Sequence, residues 1–507
     1  MSKRKRKVSR DRGAKAPAPP PAPTPASPEE RRLFWLFAGI TIILFGARWY
    51  ATKTVGFGDS EALYACYALH PQPAYLDHPG LIGIFARALG NGSAPVPGDA
   101  HLVTSLLATV FPWLVTLVAK TLGAPQKHAL VAGICFALVP EMAIGLFAMT
   151  PDLLLAYLEL GAIGLAAAGL EEKPSTGRAS IMLALAGLSA GIGAGAKVSG
   201  LLVLGGIAIA YAKSKHAKSI WPWIGVAAGG LVLVPIAKFE SEHGWPMLHH
   251  RLGGIGFSWK GLGALTAAQL AYVSPVFVAI AIGIATNLWR HRNEDDVARL
   301  LAWTTFVPFG VLAILTLVHE GAEPHWIAPA LIPLPLWAVR QADLRVLGKR
   351  WLIAGGSIAA LLVGLVHVWT LWSAAPKLAP KSYDPKVDIT NELYGWNNAI
   401  AVIGELAAEE DTVVVGPHWT ICAQVQAGLP NLSVGCEGES DFEDWYPRAA
   451  WGTFGRIVYV SDGRFPEEPN FAEYATTSVQ HVTTLRGGKV VRTFTISLLE
   501  RRARAGL

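Results

Sequence analysis

The sequence is dominated by long apolar stretches that recur with charged residues only between them. A helix needs about 20 such residues to cross the hydrocarbon of a bilayer. About eleven candidate spans follow, at 31–50, 101–120, 128–147, 152–170, 179–196, 198–212, 221–238, 267–289, 299–318, 325–340 and 351–373. Of 507 residues, 52% are hydrophobic and only 16% charged, whereas soluble domains carry about 25% charge. The chain is therefore expected to be an α-helical polytopic membrane protein, because backbone groups in lipid must be satisfied within the span itself.

The short connections give the orientation. One set carries Lys120, Lys127, Lys173, Arg178, Lys213, Lys215, Lys218, Arg290, Arg292, Arg340 and Arg345; the opposite short connections at 148–151 and 319–324 carry no Lys or Arg. This asymmetry predicts a cytoplasmic N-terminus and an extracytoplasmic (periplasmic) segment after the last span, in an inner or plasma membrane.

Residues 1–30 hold the cationic run Lys3 to Lys7 and then Ala and Pro, a composition that cannot build a core. Immediately before a span, such a run is read as an orientation signal touching anionic lipid rather than as a nucleic-acid site. Residues 31–373 are the membrane domain. Residues 374–507 turn soluble and predict a small α/β domain: a helix over 391–409, a strand over 412–416, a helix over 420–427, strands over 432–435 and 456–461, and a hairpin of 478–486 with 489–498 around Gly487 and Gly488. Cys422 and Cys436 fall in this domain, where a disulfide and two buried free thiols both stay open.

Chemistry-bearing residues gather on the extracytoplasmic side: Asp59, Glu61, Asp77 and His78 in the connection 51–100; Asp152 and Lys197 at span ends; His249, His250 and Arg251 in 239–266; and Glu323 and His325 near 320. Ionisable groups beside apolar helices are costly and mark function. Asp152 after Pro151 also suits a helix N-terminus electrostatically, and Lys197 can snorkel, so each has a purely structural reading too.

Gly58-Asp59-Ser60-Glu61-Ala62-Leu63-Tyr64 and Tyr75-Leu76-Asp77-His78-Pro79-Gly80-Leu81 are followed in order by Thr150-Pro151-Asp152, Ala194-Gly195-Ala196-Lys197, His243-Gly244-Trp245, Gln269 with Ser274-Pro275, Glu323-Pro324-His325-Trp326 and Gly395-Trp396. This ordered set resembles GT-C glycosyltransferases of family 39, the protein mannosyltransferase and aminoarabinose transferase group, over residues 31 to about 400. The chain spaces its acids as Asp59-x-Glu61 where many relatives have adjacent acids, and carries Gly80 where a second Pro is usual.

The resemblance implies a GT-C fold with a small C-terminal α/β soluble domain, and transfer of a sugar from a polyprenyl-phosphate carrier to a hydroxyl of a lipid, glycan or protein acceptor, with inversion. In that chemistry a carboxylate takes the acceptor proton and cations balance the departing phosphate. Asp59 is the expected base, Glu61 its competitor; Lys197, Arg251 and His249 are expected on the phosphate; Asp77, His78, Asp152, Glu323 and His325 are expected around the acceptor or behind the first ring of contacts. No cofactor is expected. A divalent metal on His78 or His325 with Asp77 or Glu323 stays open, although the spacing fits no metal pattern. The competing class, a transporter or flippase of lipid-linked sugar, calls for ionisable groups at mid-span and internal repeats; neither is evident here.

Overall fold

The structure is a computed structural model that describes residues 26–174, 176–252, 256, 259–318, 324–341 and 348–502. The tail expected over 1–30 lies outside the described residues as far as residue 25. The rest of it already opens helix α1 (Pro28–Thr54). Ser27 starts that helix: its hydroxyl accepts from the Glu30 N–H, and the Glu30 carboxylate accepts from the Ser27 N–H.

All eleven apolar segments contain helix. Two short helices, α2 (Asp59–Tyr67) and α3 (Leu81–Leu89), follow α1; then come α4 (Pro97–Thr121), α5 (Gln126–Leu138), α6 (Pro151–Glu171), α7 (Gly177–Ala196) and α8 (Gly200–Ala212). Beyond them lie α9 (Ile220–Leu231), α10 (Val234–Glu242), α11 (Pro246–Leu252), α12 (Trp259–Tyr272), α13 (Pro275–His291), α14 (Asp296–Val318), the short α15 (Ala328–Leu331) and α16 (Pro333–Arg340), and α17 (Lys349–Leu371). Among the described residues, seven spans are long and apolar enough to cross a membrane, α9 and α10 counting as one, or up to eight with one bent pair. The other segments are shorter or broken helices.

The bent pair corrects the single straight span expected over 267–289: helices over 261–272 and 275–291 meet at 105°. Pro275 cannot donate to the preceding turn and excludes helical geometry from the residue before it. Ser274, at the bend, adopts φ 81°, and its hydroxyl caps α13 by accepting from the Phe277 N–H.

Small residues let the spans approach closely. A Cβ placed on Gly191 would lie 2.1 Å from the Cα of Gly229, and one on Gly187 2.3 Å from the carbonyl carbon of Gly225. Both pairs are spaced four apart on α7 and α9, the pattern that allows backbone-to-backbone helix packing in lipid. Arg48 is 3% exposed within α1. Its guanidinium donates twice to the Ala143 carbonyl, at 2.6 and 3.1 Å, where the chain after α5 widens into a π-turn over Glu141–Gly145.

After α17 come α18 (Trp396–Leu406), strand β1 (Thr412–Gly416), α19 (Trp419–Gly428), β2 (Val434–Cys436), β3 (Arg456–Asp462) and the hairpin β4 (Tyr474–Arg486) and β5 (Lys489–Arg501). The strand order is β2-β1-β3-β5-β4. β1 pairs in parallel with β2 and β3, and β5 pairs antiparallel with β3 and β4. All five residues of β1 are buried, as suits a central parallel strand. The helix expected from Asn391 instead begins at Trp396. Gly395, at φ 89°, turns the chain first, and a Cβ there would lie 2.0 Å from the Thr484 hydroxyl. Cys422 and Cys436 are both free and buried.

The connection between α1 and α4 carries the two short helices α2 and α3 and is enclosed. Eight of the nine residues of α2 are buried, in an apolar cluster shared with α18, α19 and the sheet. Gly80 sits where the chain doubles back: its N–H donates to the Pro73 carbonyl at 2.8 Å, and a Cβ would lie 2.2 Å from the Gln72 carbonyl oxygen. That crowding leaves room for glycine alone.

Candidate active site

At one end of the helical bundle, the ends of α7, α8, α10, α11 and α14 meet the α2–α3 connection around a mostly apolar cavity of about 570 Å³. Its polar lining is Asp77, His78, Lys197, Ser199, Glu240 and Arg251, and Trp245 and Trp326 close part of its rim. Pockets with apolar walls and a few placed polar groups are the usual form of a ligand site.

Lys197 follows the last residue of α7 in extended backbone, which aims its side chain across the bundle. Its Nζ donates to both carboxylate oxygens of Asp152, at 2.7 and 2.9 Å. Asp152 occupies the first turn of α6, and His325 Nε2 stands 3.9 Å from its Oδ2. Arg251, from α11, donates to the Asp77 carbonyl at 2.8 Å and pairs with its carboxylate at 3.1 Å, its guanidinium lying 5.3 Å from the centre of the Trp326 ring. Each cation in the cavity is thus matched to one carboxylate.

Burial works against the charge of Asp77, but the hydrogen bond from His250 (3.3 Å) and the charge of Arg251 outweigh it and hold its carboxyl at about 2. The contact with Asp77 raises His250 in turn. His78 is pushed down to about 3 by burial and by the neighbouring charge of Lys197, so its imidazole is neutral. His249, expected on the phosphate, is exposed and outside the cavity lining. Its neighbour His250 makes the carboxylate contact instead, since successive helical residues point in different directions. Glu323 lies outside the described residues.

Asp59 and Glu61 open α2 and diverge. Asp59 is 4% exposed; its Oδ2 accepts from Arg464 Nη1 at 2.7 Å and its Oδ1 from Gln424 Nε2 at 3.2 Å, both from the terminal domain. Glu61 turns toward the bundle, where its Oε1 meets His101 Nε2 at 3.0 Å and accepts from the Met149 N–H at 2.7 Å; its Oε2 accepts from the Gly58 N–H at 3.0 Å. Burial opposes its charge, but His101 and these N–H groups win, and the Glu61 carboxyl lies below its ordinary value. Neither acid lines the cavity. The link to it is the Tyr64 ring, on the same helix, 5.6 Å from the ring of His78.

Several residues around these acids escaped the sequence reading: His101, Gln424, Glu392 and Arg464, and behind Arg464 the Asp462–Arg492 pair. Arg464 also bonds Asp462 at 3.2 Å and approaches Glu392 to 3.9 Å. Burial and the nearby charge of Asp59 push the Glu392 carboxyl up to about 7. Asp441 ties the terminal domain to the α2–α3 connection, accepting from the Leu76 N–H at 2.7 Å and the Tyr67 hydroxyl at 3.0 Å. Among the described residues, no three His, Cys, Asp or Glu side chains meet as metal ligands.

No family model matches the sequence, and no curated protein matches it. Solved structures do match the fold. ArnT from Cupriavidus metallidurans, bound to undecaprenyl phosphate, is similar with a TM-score of 0.58 at 13% identity over 91% of this chain and 97% of that one. Its apo state gives 0.59 at 12% identity over 92% and 98%. The apo oligosaccharyltransferase of Archaeoglobus fulgidus gives 0.54 at 10% identity over 85% of this chain and 69% of that one. The chain therefore has the fold of the GT-C membrane glycosyltransferases.

Proposed function

We propose that the chain is a membrane glycosyltransferase that moves a sugar from a polyprenyl-phosphate donor to an acceptor hydroxyl. The observation that carries this reading is the cavity itself: apolar walls suited to a prenyl chain lead to Lys197 and Arg251, each neutralised by a carboxylate that a phosphate can displace. ArnT of Cupriavidus metallidurans, which shares the fold, binds undecaprenyl phosphate.

In the reaction, the acceptor oxygen attacks the anomeric carbon, the bond from that carbon to the phosphate oxygen breaks, and the electron pair leaves with the phosphate. Lys197 and Arg251 balance the charge that develops there. Inversion requires the base on the far side of the sugar from the phosphate. Asp77 contacts a phosphate-binding cation at 3.1 Å and so belongs to the leaving-group side. Asp59 precedes Tyr64 on α2 by five positions, about 7.5 Å of helix rise, and is the carboxylate we assign to the acceptor proton. Glu61, locked to His101, orients the start of α2. Asp152 and His325 hold Lys197 in position, and neutral His78 lines the path between the two sides.

Charge asymmetry of the connections favours a cytoplasmic N-terminus and an extracytoplasmic site in the inner or plasma membrane, with a basic tail over 1–30, the membrane domain over 31–373 and the terminal domain over 374–507. The test is release of undecaprenyl phosphate from undecaprenyl-phosphate sugars by the purified protein in the presence of a panel of lipid, glycan and peptide hydroxyl acceptors. Wild type is expected to turn over and Asp59→Asn to lose about 10²- to 10⁴-fold. Normal turnover by Asp59→Asn with a dead Glu61→Gln moves the base to Glu61, and no turnover of any donor by wild type removes the reading.

A further inference from the structure

Helix α17 is one of the spans long and apolar enough to cross a membrane. Leu361, Leu365, Val368 and Trp372 are all exposed and follow one another at the i, i+4, i+7, i+11 spacing of a single helix face. A lipid-facing stripe therefore reaches the C-terminal end of the span.

The β4–β5 turn is fastened at that level. Arg486 Nη2 donates to the Trp369 carbonyl at 2.8 Å, and a Cβ on Gly487 would lie 2.8 Å from the backbone nitrogen of Lys377. The segment after α17 is tied to the same turn of helix: Trp369 Nε1 donates to the Asp388 carboxylate at 2.9 Å, and the Tyr394 hydroxyl donates to the Thr370 carbonyl. Lys489 Nζ stands 4.9 Å from the centre of the Tyr383 ring, and Ile389 and Val490 face one small cavity. The hairpin tip and residues 372–390 are thus held together beside the last turn of a span, where hydrocarbon gives way to headgroups.

The surface they expose does not suit water. Leu378, Val387 and Ile389 are 73–76% exposed, Leu485 62% and Val490 53%. Apolar side chains grouped in this way, unlike ones scattered singly, mark an interaction surface. Charge here is one-sided: over 372–390 and 484–490 the exposed charged residues are Lys377, Lys381 and Lys386 against Asp384 alone. Apolar groups rimmed by lysine are the composition of a surface that lies in the headgroup layer of an anionic leaflet.

We infer that the hairpin tip and the segment after α17 form a lipid-binding surface, with these five apolar side chains at the acyl boundary and Lys377, Lys381 and Lys386 on the phosphates of anionic phospholipid. Lipid is the occupant because the apolar stripe of α17 runs up to this surface and its charge complements an anionic leaflet. The bilayer then supports the domain whose Arg464 holds Asp59. The inference needs the membrane fold and not the glycosyltransferase reading.

The experiment places full-length protein in nanodiscs of phosphatidylcholine with phosphatidylglycerol, carrying one nitroxide on Leu485→Cys, Val387→Cys or Glu473→Cys. Collision of the label with oxygen and with a neutral nickel chelate is read by EPR. Glu473 precedes the far end of β4, about 40 Å of strand from the turn. Unsubstituted protein, in which Cys66, Cys422 and Cys436 are buried, gives the labelling background. The oxygen-to-chelate ratio is expected to be at least about threefold higher at 387 and 485 than at 473, because the acyl boundary takes up oxygen and excludes the chelate. Equal ratios at the three sites overturn the inference. So does shielding of 387 and 485 from both reagents, which is the mark of a protein partner or a second copy. The anionic half is read in Lys377→Gln/Lys381→Gln/Lys386→Gln, which leaves the Arg486 and Asp388 bonds in place. Adding phosphatidylglycerol to phosphatidylcholine is expected to cut chelate access at 485 by at least about twofold with the lysines present and to leave it unchanged in the triple variant. The same cut in both proteins, or in neither, overturns the lysine assignment.

Discussion

Arg464 and Asp59, 405 positions apart in sequence, share a 2.7 Å hydrogen bond that joins the terminal domain to the first turn of α2. The Asp59 side chain is 6% exposed and that of Arg464 20%, so removing the cation strands a buried carboxylate. Arg464→Met is expected to destabilise the docked terminal domain by about 3 kcal/mol, within the range for breaking a buried pair. Thermal unfolding and limited proteolysis after residue 373 check this, and Asp59→Asn in the Arg464→Met background is expected to recover part of the loss.

Glu392 supplies a pH dependence. Its carboxyl is raised to about 7 in the folded protein from 4.5. A raised carboxyl binds its proton more tightly when folded, so its stabilising contribution is complete below pH 4.5 and is lost as pH rises through 7. Stability of the terminal domain is expected to fall over that window, and Glu392→Gln to flatten the fall, as read by denaturant midpoints from pH 4.5 to 8.

The Asp77–His250 contact titrates at both ends. The Asp77 carboxyl, lowered to about 2 from 3.8, contributes stability that is present above 3.8 and lost as pH falls through 2. His250 is raised, so its contribution is present below 6.5 and lost as pH climbs through its folded value. Protection of the α11 amides, corrected for the intrinsic pH dependence of exchange, is expected to be greatest between about pH 4 and 6, the window these two shifts leave, and His250→Gln to remove the alkaline limb and to weaken the acidic one.

Glu61 separates a positioning role from a chemical one. Glu61→Ala strands the Met149 and Gly58 N–H groups and the His101 ring, and is expected to cost about 2–4 kcal/mol by leaving buried donors unpaired. Glu61→Gln keeps most of these contacts. It is expected to stay folded and to retain more turnover than Asp59→Asn, measured by release of undecaprenyl phosphate.

Much of this was legible in the chain because lipid and sheet impose simple periods. Thr412–Gly416 holds three consecutive valines and became the buried central strand β1, and Gly487-Gly488 turned the β4–β5 hairpin. The break at Ser274 was less visible, because apolar content continues through it and only Pro275 signals the bend. At the site, Lys197 and Asp152 were readable as ionisable groups at apolar span ends, and the structure joins them. Arg464 and Gln424 were not. Nothing local to Gly463-Arg464-Phe465 announces an acid 405 positions away, and that pairing follows only from how the terminal domain docks on α2. His249 and His250 were indistinguishable in sequence, because which of two adjacent helical side chains meets Asp77 depends on the rotation of α11.

The decisive quantity is the affinity of purified protein for undecaprenyl phosphate, compared among wild type, Lys197→Gln, Arg251→Gln and Arg87→Gln, the last a cation outside the cavity. Loss of about tenfold or more is expected in each of the first two variants, from removal of one charged hydrogen bond, with Arg87→Gln matching wild type. Equal affinity in all four proteins would contradict a lipid phosphate seated between Lys197 and Arg251.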